Sequence, residues 1–377
     1  MTNWRIENLD FEMVKSEQYS LSAQALKKVI EDFGGIATDS SLSLIQLEFL
    51  EFVDAEAERD DELANLTKRF RTTLTKRKGM DDVTNAGQAF EAYAEIKAYL
   101  HLRHHGFKPR HVPEGSNPTP DFECSVGGKT FYVEVKAFDI VTGDHERLQD
   151  LERSFNSQVD LTEQISSGKD IATTIQEFAP YGYAGHGKSQ IALVAGTWNK
   201  KFINNFKKKQ FRSGPTFALA VTDRLILPSG VSDIAQNYIY HNGVHPDCCP
   251  SGALWTAAYA KKGHCIHDIP EFEGRPTHYE NWELEGFFSD FTPHPAKGFI
   301  ILHRSLSESY ALGLLNSNTI QNDNEDDWTQ DDTDEVLSKL CDLTNNQENT
   351  SGYLVVDTSQ NPPSLSKIEW DKTKGSD

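Results

Sequence analysis

Apolar residues recur at helical spacing through the first part of the chain. Leu21, Leu26, Val29 and Ile30 form one stripe, and Leu44, Leu47, Phe49, Leu50 and Val53 form another. Residues from about Ser16 to Lys78 therefore read as helical. Gly34-Gly35 separates the two helices and Gly79 ends the second. A third helix is predicted from Val83 to His105, carrying Phe90, Tyr93, Ala94, Ile96, Ala98 and Leu100, with Gly106 as its stop. From Phe107 the period shortens. Residues 121–126 and 129–138 alternate apolar and polar around Gly127-Gly128, which predicts a hairpin. A polar helix is expected over Asp144 to Ser167, and strands at Gln190–Thr197, Pro215–Leu227, Gly298–His303 and Ser309–Leu315.

Intermixed helices and strands through 83–318 predict one α/β domain around a central mixed sheet. The organisation read from the sequence is a helical N-terminal region (1–80), a core domain (81–318) and an acidic linker with a C-terminal tail (319–377). Within that tail, Tyr353 to Val356 reads as a returning edge strand.

Composition narrows the partners. Lys plus Arg is 37 and Asp plus Glu is 57, a net charge of -20, which argues against nonspecific coating of nucleic acid. The charge is uneven. Residues 321–349 hold ten acids and one base, Lys339. Basic residues gather at Lys68–Lys78, Lys97–Arg110 and Lys200–Arg212. The last run interleaves Trp198, Phe202, Phe206 and Phe211 with lysines. Such a mixture holds a phosphate backbone and stacks on bases, or is an amphipathic surface helix with snorkelling lysines. No apolar run is long enough to cross a membrane, Met1 to Asp10 lacks a secretory signal, and the 5 cysteines are scattered. The expected location is cytoplasmic.

The hairpin carries the chemistry. If Gly127-Gly128 is a two-residue loop, Val126 faces Lys129 and Asp121 falls opposite Glu134. Opposed residues share a face, with Cβ atoms about 4.5–5.5 Å apart. Lys136 points the same way, whereas Phe122, Cys124, Val126, Phe131, Val133 and Val135 form a core stripe on the other face. Two carboxylates directly opposed destabilise a sheet unless a cation lies between them. A hard, oxygen-seeking Mg²⁺ suits this set, with the Val135 carbonyl as an extra ligand.

Pro120-Asp121 followed by Glu134-Val135-Lys136 resembles the signature of the PD-(D/E)XK nuclease superfamily, over roughly residues 83–140. Glu95, Ala98, Leu102 and Gly106 are similar to the E-x-x-A-x-x-x-L-x-x-x-G helix of many members. The resemblance implies a restriction-endonuclease-like α/β/α core with a central mixed sheet. It also implies Mg²⁺-dependent phosphodiester hydrolysis, with Mn²⁺ as substitute, acting on DNA before RNA in restriction, phage defence or repair. Asp121, Glu134 and Glu95 would approach the metal, with Glu91 as the substitute helix acid, and Lys136 would position the attacking water. A homodimer, or a partner defence or repair subunit, fits such a role. A catalytically inactive member serving as a binding or assembly subunit is the alternative.

Other motifs carry less. Gly182 to Ser189 spells G-x-x-x-x-G-K-S, but Gln190–Ala195 after it reads as a strand where a phosphate loop requires a helix. His241, His245, Cys248, Cys249, His264, Cys265 and His267 suggest structural zinc, although Cys248-Cys249 departs from the usual C-x-x-C knuckle. His145, shortly after Lys136, reads either as a surface residue or as one that touches a substrate phosphate. The acidic stretch reads as a solvated linker, or as a phosphate mimic covering the basic surface.

Overall fold

The computed structural model describes residues 20–32, 45, 47–76, 83–113, 118–138, 156–157, 159–169, 171, 173, 190–223, 238–240, 252–263, 265–267, 279–289, 294–304, 309–317, 328–346, 352–357 and 364–369. Three helices open the described chain: α1 (Leu21–Asp32), α2 (Leu47–Ala57) and α3 (Asp61–Thr75). The second predicted helix is thus two. The first piece stops at Ala57, and Asp60 caps the next, its side chain accepting from the Leu63 N–H at 3.1 Å, with Asp61 and Glu62 in the first turn. The Asp54 carboxylate joins all three helices. It accepts from the Ser22 backbone N–H and hydroxyl at 2.7 Å each and from Arg71 at 2.9 Å.

Helix α4 (Val83–His104) follows, then β1 (Arg110–His111), β2 (Phe122–Val126) and β3 (Lys129–Ala137). The hairpin has the predicted register: Phe122 pairs with Val133, Cys124 with Phe131 and Val126 with Lys129. Gly127 and Gly128 both take positive φ, 56° and 83°, as a two-residue turn matched to strand twist requires. Next come α5 (Gln190–Asn205), a 3-10 turn (Lys208–Phe211), β4 (Thr216–Val221), β5 (Tyr238–Tyr240), α6 (Ala253–Tyr259), β6 (Cys265–His267) and β7 (Tyr279–Asn281). The described chain ends with β8 (Gly298–Arg304), β9 (Ser309–Leu315), α7 (Gln330–Leu340), β10 (Leu343–Asn345), β11 (Gly352–Asp357) and β12 (Ser364–Glu369).

The main sheet is mixed and seven-stranded, in the order β1-β2-β3-β4-β8-β9-β10. Strands β3, β4 and β8 run parallel, so long crossovers link them and carry helices onto the sheet. Alternate residues feed two cores. Phe131, Val133, Val135, Phe217, Leu219, Ile300 and Leu302 join α1–α4 and α7 on one face. Phe138, Ala218, Ala220, Phe299 and Ile301 join α5 and α6 on the other. The protein is therefore α/β with helices on both faces of a mixed sheet. The N-terminal helices share their core with α4 and the sheet.

Three expectations are corrected. Gln190–Thr197 is the first half of α5 and not a strand: the apolar run continues through Trp198 and Phe202 at helical spacing, and these two fill the second core. A helix therefore follows Ser189, although Gly182 to Ser189 lies outside the described residues. The acidic stretch is no linker where it is described. Thr329 and Asp332 close a capping box, and Thr333, Val336, Leu337 and Leu340 turn into the core as α7. Strand β10 then pairs parallel with β9, so the main sheet extends past residue 318. Strand β11 is no edge but the middle of a separate sheet, β12-β11-β5. The polar helix of 144–167 is described only in part, helical over residues 156–157 and 159–166.

Candidate active site

The candidate site lies where β2 begins and β3 nears its end. Glu134 and Lys136 project from β3 on the face covered by α5, beside Ala218 and Ala220 of β4, whose small side chains leave room. That face, opposite the hairpin's own core stripe, is thus covered as well. The second helical layer leaves Glu134 only 1% exposed. Lys136 Nζ lies 2.5 Å from Glu134 Oε1, and its side chain keeps 27% exposure, so the pair reaches solvent through the lysine.

Asp121 enters from the start of β2. Its backbone N–H donates to the Val133 carbonyl at 3.1 Å, and its Oδ2 accepts the Val135 N–H at 2.7 Å. Backbone groups alternate along a strand, so the Val135 carbonyl shares the side of its N–H, the open side beyond the end of β2. The sequence-predicted Asp121, Glu134, Lys136 and Val135 are thus brought together around one corner of the sheet.

The electrostatics follow from burial. Desolvation and the Asp121 charge push the Glu134 carboxyl up to about 7, against the pull of Lys136 and Gln210. Asp121 is also raised by burial, although Lys136, the Val135 N–H, His111 and Arg69 oppose the rise. Burial works against the Lys136 ammonium, but Glu134 and Asp121 outweigh it and raise its affinity for the proton. The site therefore holds two carboxylates that resist joint ionisation and one firmly charged amine.

Glu95 is held differently from the expectation. It pairs with Arg69 of α3, and His111 Nε2 lies 4.0 Å from its Oε2. Arg69 and His111 also act on Asp121, so two basic side chains link the helix acid to the trio. Glu91, one turn earlier, is exposed and its charge acts on Lys136. Among the described residues no group of three or more His, Cys, Asp or Glu side chains is arranged to hold a metal. His145, His241, His245, Cys248, Cys249 and His264 lie outside the described residues, and Cys265 and His267 are placed as backbone of β6.

Gln210 is a site residue that sequence reasoning missed. Its Nε2 donates to Glu134 Oε1, and its Oε1 accepts the Lys207 backbone N–H at 2.8 Å. It stands in a basic run, and only the 3-10 turn after α5 aims it at β3. The aromatics of the same run are core: Trp198, Phe202, Phe206 and Phe211 are all buried and none is available to stack on a base. No helix among the described residues is long and apolar enough to cross a membrane. No protein-family model matches the sequence, and neither a curated protein nor a solved structure matches it.

Proposed function

We infer that this chain is a divalent-metal-dependent nuclease on a restriction-endonuclease-like core, hydrolysing phosphodiesters of nucleic acid, DNA before RNA. The observation that carries the reading is the meeting of Asp121, Glu134 and Lys136 on one hairpin corner, with both acids raised by burial. A divalent cation fits this donor set. Glu134 Oε2 is buried without a hydrogen-bond partner among the described residues, and the acids repel each other in a way a cation relieves.

Asp121, Glu134 and the Val135 carbonyl would hold Mg²⁺ or Mn²⁺, the remaining positions being left to water and phosphate oxygens. Such an ion supplies Lewis acidity toward the phosphate and makes a water nucleophilic at neutral pH. The protein's own groups do the rest. The Val135 N–H fixes the direction of Asp121, and Gln210 fixes Glu134. Lys136 stays protonated beside Glu134, so its Nζ donates hydrogen bonds to the incoming water or to a phosphate oxygen as negative charge grows there. Water oxygen bonds to phosphorus as the bond to the leaving oxygen breaks; the water gives up a proton to solvent, and the leaving oxygen takes one from solvent and departs as an alcohol.

The experiment is incubation with plasmid, linear and single-stranded DNA and with RNA, in Mg²⁺ or Mn²⁺, for wild type, Lys136→Ala and Asp121→Ala. Metal-dependent cleavage abolished by both substitutions is the expected result. A second reading, a non-catalytic binding or assembly subunit, draws on the direct Glu134–Lys136 pair, in which an ammonium already answers the buried charge. It predicts binding without cutting, unaffected by either substitution.

A further inference from the structure

The turn that delivers Gln210 to the site has an outer side of opposite character. Lys207, Lys208, Lys209 and Arg212 are all exposed, while Gln210 and Phe211 between them turn inward. The patch continues onto α5, where Lys200, Ile203 and Asn204 are exposed on one helical face, Ile203 at 50%. Lys207 Nζ reaches back to the Ile203 carbonyl at 3.4 Å and joins the two parts. No Asp or Glu occurs between Glu177 and Asp223, in a chain whose net charge is -20. The patch is thus a local reversal of the protein's charge, tied to the candidate site through a single amide: Lys207 N–H to Gln210 to Glu134.

We propose that Lys207, Lys208, Lys209 and Arg212, with Lys200, form the rim that grips the sugar–phosphate backbone of a nucleic acid and leads it to the Glu134 corner. The proposal rests on the hydrolytic reading of that corner. Buried aromatics leave this rim only its cations, so it reads charge and backbone, not bases. The bound polymer releases counterions, and affinity falls with salt in proportion to the phosphates contacted.

The test measures binding of fluorescent random-sequence duplex DNA and duplex RNA in EDTA across a salt series. It compares wild type with Lys207→Ala/Lys208→Ala/Lys209→Ala/Arg212→Ala and with the triple Lys→Arg variant at 207–209. The expected result is that the alanine variant binds at least about tenfold more weakly near 0.1 M salt. Its log–log salt slope should be shallower by about three to four. The arginine variant should bind as wild type does, and scrambling the duplex should change nothing. The DNA and RNA arms show which backbone the rim prefers. Equal affinity and slope in the alanine variant, or no binding by wild type, overturns the proposal. Equal competition by polyglutamate also overturns it and points to an acidic polypeptide instead. Cleavage assays on the same proteins separate the two readings. Binding lost in the alanine variant with no cutting by wild type sustains the rim and removes the hydrolase. Cutting with unchanged binding does the reverse.

Discussion

The Asp121 carboxylate accepts the backbone N–H of Val135 at 2.7 Å, so the first acid of the site is oriented by the same strand that carries the second acid and the amine. Asp121→Asn keeps an oxygen acceptor for that N–H and removes a charge that burial disfavours. At neutral pH its melting temperature should equal or exceed that of wild type, while metal-dependent cleavage disappears. Asp121→Ala should lose cleavage as well and leave the Val135 N–H unpaired, at about 1–3 kcal/mol if water cannot replace the acceptor. Thermal melts beside a plasmid-nicking assay check both. Cleavage surviving in Asp121→Asn would overturn the role given to its charge.

Glu134 sets a pH dependence with a definite sign. Its carboxyl rises from an ordinary value of 4.5 to about 7 in the folded protein, so the native state binds more protons than the unfolded chain in between. Stability from this group therefore falls as pH rises from about 4.5 to about 7 and is level outside that window. In metal-free buffer, the stability difference between wild type and Glu134→Gln should decline across that window. Urea midpoints at half-unit pH steps measure it, and a flat difference would remove the account of Glu134.

Divalent ions should act most strongly above that window, where both carboxylates are forced to ionise. Mg²⁺ at about 100 times its Kd stabilises a one-site protein by about 2.7 kcal/mol. Wild type should show a rise in melting temperature with Mg²⁺ that is larger at pH 8 than at pH 5. Glu134→Gln and Asp121→Asn should show little rise at either pH. Calorimetric scans with and without EDTA decide the matter.

Gln210 is a positioning residue for Glu134, because its Nε2 is given to the carboxylate and its Oε1 to the Lys207 backbone N–H. Gln210→Ala should lower kcat about tenfold or more while KM changes less, because it loosens Glu134 and keeps every cation of the basic rim. It should also raise the pH at which Glu134 titrates, since Gln210 is one of the groups holding that value down. A structural role alone would leave the pH profile where it is.

A buried ion pair lies beyond the site. Lys97 Nζ lies 2.7 and 2.5 Å from the two carboxylate oxygens of Asp223, and Tyr93 Oη donates to the same carboxylate at 3.3 Å. Removing one partner strands a buried charge, so Lys97→Met should cost about 3–5 kcal/mol, and Lys97→Met with Asp223→Leu should recover most of it. Equilibrium denaturation of the single and double variants tests this. An additive double variant would show that the pair is not coupled.

The hairpin was legible because its two faces differ and two glycines fix its register. Alternation named Phe122, Cys124, Val126, Phe131, Val133 and Val135 as core, and all six are buried on one face. The depth of Glu134 was not legible, because it depends on α5, and the opening of α5 reads as a strand when its first eight residues are taken alone. Length settles that ambiguity: Trp198 and Phe202 extend the stripe beyond what a strand carries. The acidic stretch hid a helix because its charge masked the capping box at Thr329–Asp332 and the buried Val336, Leu337 and Leu340. Lys97 reads as one more basic surface residue until Asp223, 126 positions away, is folded against it.

Lys129, beside the glycine turn, donates to Asp332 of α7 at 2.7 Å across 203 positions of chain. During synthesis the ribbon bearing both acids and the amine emerges long before the helix that clasps it. So distant a pairing raises contact order and slows closure. Until α7 and β10 have left the ribosome, Lys129 lacks its acidic partner and the seven-stranded sheet lacks its last strand.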